Sequence, residues 1–197
     1  MRLKTLLVIA ALALCVCVSA PTTFAQNLLT NGSFETGDFT GWTTGGNFEF
    51  TQVVSGAYYD YTGAQDGTYY MTGGPVSTDG TLSQTLSTVA GAQYNISFWF
   101  ASVGDDPSDF SVYWDGTQLL SLTNPNTGSN WTQYTFTGTG TGSDTLLFSF
   151  RDDPAYVALD NVSVTEVQPS VPEPSSFLLL GTGALGLGGM VRRKLRR

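Results

Sequence analysis

The chain has 197 residues, with 16 acidic and 8 basic side chains and no histidine, for a net charge of −8. The missing histidine excludes Ser-His-Asp triads and histidine-based zinc sites and removes the commonest general base. Both cysteines, Cys15 and Cys17, fall in an N-terminal apolar run that reads as a removable signal, so the mature chain has no disulfide and no thiol nucleophile.

In that signal Arg2 and Lys4 form a positive start, residues 6–18 an apolar run, and Thr23-Phe24-Ala25 a cleavage site before Gln26. Residues 1–25 are therefore predicted to direct export. The following domain, residues 26–166, holds fifteen acids against a single basic residue, Arg151, a net charge of −14. Such a surface repels phosphate backbones, which excludes nucleic acid as a partner, and it offers many carboxylates to divalent cations. The length suits one domain with a sizeable core.

No stretch of this domain has helical period. Short alternating runs punctuated by Gly, Asp, Asn and Pro predict an all-β sandwich of nine or ten strands. Residues 27–35 open it, with Leu29 and Phe34 pointing to the core, and 36–41 form a turn before Trp42. A strand is predicted over 48–53, then a Gly-bounded loop with Tyr58, Tyr59 and Tyr61, then short strands at 68–72 and around Leu82, Gln84 and Leu86. The clearest alternation is residues 93–103, where Tyr94, Ile96, Phe98 and Phe100 face one way and Asn95, Ser97, Trp99 and Ala101 the other. Phe110, Val112 and Trp114 lead into Asp115-Gly116, a two-residue hairpin signal, and residues 119–122 return. Strands at 131–137, 146–151 and 156–164 complete the set. In the last of them the apolar positions change parity, from Val157 and Leu159 to Val162 and Val164, which predicts a β-bulge at Asp160-Asn161.

The remaining segments are a linker, 167–176, containing Pro172, Glu173 and Pro174; an uncharged apolar helix, 177–191; and a basic tail, 192–197. Fifteen helical residues rise only ~22 Å, short of a ~30 Å hydrocarbon core, so the helix is a weak permanent anchor. The positive-inside rule leaves the tail in the cytoplasm and the acidic domain outside. This layout resembles the PEP-CTERM sorting signal of Gram-negative bacteria that make extracellular polysaccharide. The resemblance implies recognition by an exosortase, cleavage near Pro172-Glu173-Pro174, and delivery to the cell surface or matrix after transient membrane anchoring.

Within the domain, four stretches occur in a familiar order: Asn-Gly-Ser-Phe-Glu at 31–35, Gly41-Trp42, Tyr94-Asn95-Ile96-Ser97-Phe98 and Leu159-Asp160-Asn161-Val162. They resemble the galactose-binding-like jelly roll of several carbohydrate-binding modules. That resemblance implies a structural calcium held by Glu35 and Asp160 together with backbone carbonyls; the alternative is that Glu35 only accepts turn hydrogen bonds and Asp160 only fixes the bulge. A non-catalytic protein associated with extracellular polysaccharide is the expected function. Its competitors are a carboxylate-dependent glycosidase or lyase and a structural adhesin without a defined ligand.

Three residues are candidate ligand contacts, and the tyrosine loop, Tyr58 to Tyr61, is another candidate because loops carry function more often than cores do. Trp99 and Tyr113 lie opposite the apolar alternation, where an aromatic either stacks on a sugar or packs under a loop. Arg151 either binds ligand or pairs with a carboxylate. Asp105, Asp106, Asp109, Asp152 and Asp153 would be the carboxylates of a glycosidase, but they flank prolines in turns, where Asp is favoured for local hydrogen bonding.

Overall fold

The computed structural model describes residues 25–168. The export signal through residue 24, Pro172, Glu173 and Pro174, the apolar helix and the basic tail lie outside the described residues.

Ten strands form two five-stranded antiparallel sheets. They are β1 Thr43–Gly46, β2 Thr51–Ser55, β3 Tyr69–Gly73, β4 Gly80–Ser87 and β5 Gln93–Ser102, followed by β6 Ser108–Trp114, β7 Thr117–Thr123, β8 Thr132–Thr139, β9 Ser143–Asp152 and β10 Val157–Glu166. The first sheet has the order β1-β4-β9-β6-β7 and the second β2-β3-β10-β5-β8. The chain crosses repeatedly between the two layers, giving the jelly-roll sandwich expected from the alternation.

The period-2 pattern places the core. Ile96, Phe98 and Phe100 of β5, Phe110 and Val112 of β6, and Leu146, Phe148 and Phe150 of β9 are all fully buried between the sheets. Phe100 and Phe110 meet across the layers with ring centroids 4.2 Å apart, and Phe98 meets Phe148 edge-on at 5.3 Å. Such pairs add about 0.5–1.5 kcal/mol each beyond the area they bury. Both sheets and the core between them are complete within residues 25–168, so this segment folds as a unit.

The predicted hairpin is present: Asp115 and Gly116 take φ of 46° and 76°, as a type I′ turn requires. The bulge is also where the parity change puts it. β10 pairs with β5 in one register through Asp160↔Trp99 and in a shifted one from Ser163↔Ser97, and Asn161 has φ 48°. Gly32 is fixed by this bulge: Val162 N–H donates to its carbonyl at 2.9 Å, and a Cβ there would lie 2.1 Å from the Val162 carbonyl oxygen. The opening and closing motifs thus meet in space, stapled further by Asn27, whose side chain bonds the backbone of Val162 and Val164.

Two local expectations change. The strand predicted over 48–53 begins only at Thr51, because Phe50 turns the chain with φ 56° and is 59% exposed. Phe48 nonetheless reaches the core, packing on Phe39 and Phe150. Conversely, Thr43–Gly46 forms β1 with no strand signal of its own; pairing with β4, from Thr43↔Ser83 to Gly46↔Gly80, creates it.

Candidate functional site

The two outer faces of the sandwich differ. Among the described residues, no segment like the second sheet's loop lies over the first sheet's face, which only the turn at 77–79 reaches at one end. The cross-strand register of β6 and β9 arranges it: Asp109↔Arg151, Ser111↔Ser149 and Tyr113↔Leu147. Tyr113 and Leu147 are half-buried, giving an apolar step in an otherwise polar surface of Ser and Thr with Gln118 and the Asp109–Arg151 pair. The Tyr113 hydroxyl accepts a hydrogen bond from Gln118 Nε2 at 3.3 Å. Four residues along β6, about 14 Å away at the rise of an extended strand, Arg151 pairs with Asp109 at 3.0 Å and donates to the Ser77 carbonyl at 3.3 Å. Burial and the neighbouring Asp79 raise the Asp109 pKa, and Arg151 offsets part of that rise. Asp79 itself accepts from Ser149 Oγ at 2.8 Å.

Two of the three candidate ligand residues, Tyr113 and Arg151, are therefore brought together on one face. Trp99 is not. It sits half-buried on the outer face of the second sheet, between Asp160 of β10 and Gln133 of β8.

That second face is roofed by the tyrosine loop, residues 56–68. Tyr61 is buried with its hydroxyl donating to the Tyr156 carbonyl, and its ring stacks on Trp131. Tyr70, Ala101 and Ala158 complete a small second core beneath the loop. Burial raises the Tyr61 pKa, so the phenol stays neutral as a donor. Only Tyr59, 53% exposed and packed edge-on against Tyr156, faces outward as a loop ligand contact would.

Glu35 and Asp160 close on the same loop from opposite sides. Asp160 Oδ2 accepts from the backbone N–H of Gln65 at 2.8 Å and of Asp66 at 3.1 Å, while its Oδ1 accepts from Asn161 N–H at 2.6 Å. Glu35 Oε1 accepts from the N–H of Thr68 and of Tyr69, both at 2.8 Å. Gly67 sits between them, where a Cβ would fall 2.5 Å from the Glu35 carboxyl. Asp160 is fully buried, and that burial raises its pKa to about 6 against the lowering effect of the three amides. Among the described residues, no third acid joins to make a cluster of metal-ligating side chains.

Of the acids weighed as catalytic, Asp109 is engaged by Arg151, and Asp152 is fully buried. Both Asp152 carboxyl oxygens lack a well-formed hydrogen bond. Burial first and Asp105 next push its pKa up to about 7, only partly countered by the nearby Ala155 amide. That value suits a general acid, but the group has no exposure to a substrate.

Sequence reasoning missed Leu147 and Asp79. The alternation of β9, with Leu146, Phe148 and Phe150 inward, would have placed Leu147 outward beside Tyr113. Nothing local signals that Asp79, in a turn, reaches Ser149.

Residues 170–194 match the family model of the PEP-CTERM protein-sorting motif. This stretch contains Pro172, Glu173 and Pro174 and marks a sorting signal in the chain. No curated protein matches the chain in sequence. Among solved structures, the module TmCBM61 in complex with beta-1,4-galactotriose superposes with a TM-score of 0.60 at 20% identity, covering 73% of this chain and 100% of that one. The CBM22-1 xylan-binding domain of Paenibacillus barcinonensis Xyn10C gives 0.53 at 19% identity, covering 74% and 97%. The enzymatically active domain of the bacteriophage CBA120 tailspike protein 4 gives 0.52 at 16% identity, covering 72% of this chain and 21% of that one. The shared feature is the fold, the jelly-roll sandwich of carbohydrate-binding modules.

Proposed function

We propose that the protein is an exported, exosortase-processed surface or matrix protein of a Gram-negative bacterium, and that its sandwich associates with extracellular polysaccharide without catalysing a reaction. The sorting motif supports the route. The apolar run that follows Pro172-Glu173-Pro174 holds the chain at the membrane until the exosortase, its processing partner, cuts it.

The observation that carries the binding reading is the part of the first sheet's face that the described residues leave open, where Tyr113 and Leu147 form an apolar step beside hydroxyl side chains. A pyranose ring presents apolar C–H faces and a rim of hydroxyls, which match an aromatic step and its Ser and Thr surround. Arg151 supplies the one positive charge on that face. The reading assigns stacking to Tyr113 and leaves Trp99 to pack beside the roofed half of the other sheet. The burial of Asp152 and the engagement of Asp109 by Arg151 support a non-catalytic domain. Affinity electrophoresis of residues 26–168 in gels containing the host's own polysaccharide tests the reading. Retarded migration is expected; unretarded migration in that polysaccharide and in galactan and xylan gels would favour a structural adhesin instead.

A structural calcium belongs to the same proposal. Glu35 and Asp160 converge on one loop, and a divalent cation beside buried Asp160 would offset the burial that raises its pKa. Two carboxylates leave the rest of a six- to eight-oxygen shell to backbone carbonyls and water. A chelator should then lower the melting temperature, and an unchanged melting curve would refute the ion.

A further inference from the structure

Residues 116–143 contain no Asp, Glu, Lys or Arg, the longest such run in a domain whose net charge is −14. This run contains both β7 and β8, which are the last strands of the first and second sheets. They lie on the same flank of the sandwich: Trp114 Nε1, at the end of β6, donates to the Thr139 carbonyl of β8 at 3.0 Å. A cleft of about 270 Å³ between the two edges is lined by Trp114, Leu119 and Thr137, with Asp115 of the β6–β7 turn, just outside the uncharged run, at its end.

An edge strand presents a row of unpaired N–H and C=O groups, and natural sheets blunt such edges with charge, proline, short length or a cover. The opposite flank follows that rule, since β1 and β2 have only four and five residues. The β7–β8 flank does not. β7 has seven residues and β8 eight, neither holds a charge or a proline, and among the described residues no strand pairs beyond either. On β8, Gln133, Thr135, Thr137 and Thr139 are exposed while Tyr134 and Phe136 turn in against the core.

We infer that the β7–β8 flank is a pairing surface for a second copy of this chain, in which β7 meets β7 and β8 meets β8 so that both sheets continue across the contact. Two open edges in different layers call for a partner with two edges at the same separation. A lone peptide strand satisfies only one. A second sandwich related by a two-fold axis through both layers satisfies both, with each pair antiparallel. The charge distribution favours the same approach. Two domains of −14 repel each other, and they do so least through the charge-free run. This association does not depend on glycan binding, and it would let a matrix protein cross-link whatever it binds.

Sedimentation velocity on residues 26–168, from about 1 µM to about 1 mM and at low and high salt, tests it. A concentration-dependent dimer that strengthens with added salt is expected, because screening removes the residual repulsion. Thr135→Glu and Ser121→Glu place a like charge on each edge at exposed positions and should weaken dimerisation at least tenfold. Thr43→Glu, on the short opposite edge, should leave it unchanged. Amides of β8 should gain hydrogen-exchange protection as the dimer forms. A protein that stays monomeric throughout, or a dimer broken by Thr43→Glu and indifferent to the other two, would overturn the inference.

Discussion

The two outer faces are built from the same alternation and end up with opposite roles. On the second sheet Ala101 and Ala158 are small, so the tyrosine loop settles onto them and turns an outer face into a second core. On the first sheet the equivalent positions are Ser, Thr, Asp109, Tyr113, Leu147 and Arg151, and among the described residues the turn at 77–79 reaches only the end of the face, at Arg151 and Ser149. Side-chain size and polarity on the outward positions decide which face is sealed. The same residue type is therefore structural on one side and available on the other: Tyr61 is a plug and Tyr113 a surface.

That contrast breaks most sharply by truncation. Tyr61→Ala should cost about 3–5 kcal/mol in urea unfolding, as large buried aromatics do, whereas Tyr113→Ala should cost under about 1 kcal/mol.

The next effect is electrostatic. Asp152 is buried with a pKa raised to about 7 from a reference of 3.8, so the folded state holds more protons than the unfolded one between those values. Its contribution is complete below about pH 4 and is lost as pH rises through 7. Asp152→Asn should therefore be more stable than wild type above pH 7, by on the order of 2 kcal/mol, with the gap closing toward pH 4. Thermal melts across that range check the sign. A gap that widened on acidification would show that the carboxylate is stabilised by a partner.

Arg151→Gln should change least in stability, by under about 1 kcal/mol, because its bridge to Asp109 is about a quarter exposed. Its effect should appear in ligand affinity and not in unfolding curves.

Much of the sandwich was legible because a half-buried strand writes its burial into alternate residues: β5, β6 and β9 can be read from their aromatics alone. The bulge was legible for the same reason, since a parity change has few physical causes. β1 was not, because Thr-Thr-Gly-Gly carries no preference and owes its strand to β4. The start of β2 was misplaced because Phe48 and Phe50 mimic alternation while Phe50 turns outward. For the candidate site, the outward direction of Trp99 and Tyr113 followed from periodicity, but which of the two faces a loop would cover did not. That depends on residues 56–68 reaching across three strands, a tertiary choice that no local pattern encodes. The partner of Arg151 lay 42 residues away on a neighbouring strand, and only the register of β6 and β9 reveals it.

The most direct measurement of the central claim is the affinity of residues 26–168 for the host polysaccharide, compared between Tyr113→Ala and Trp99→Ala variants whose melting curves show them folded. Tyr113→Ala should weaken binding roughly tenfold, equivalent to about 1.4 kcal/mol, and Trp99→Ala should leave it unchanged. Binding that survives Tyr113→Ala and is lost in a folded Trp99→Ala would contradict the assignment of the open face as the glycan surface.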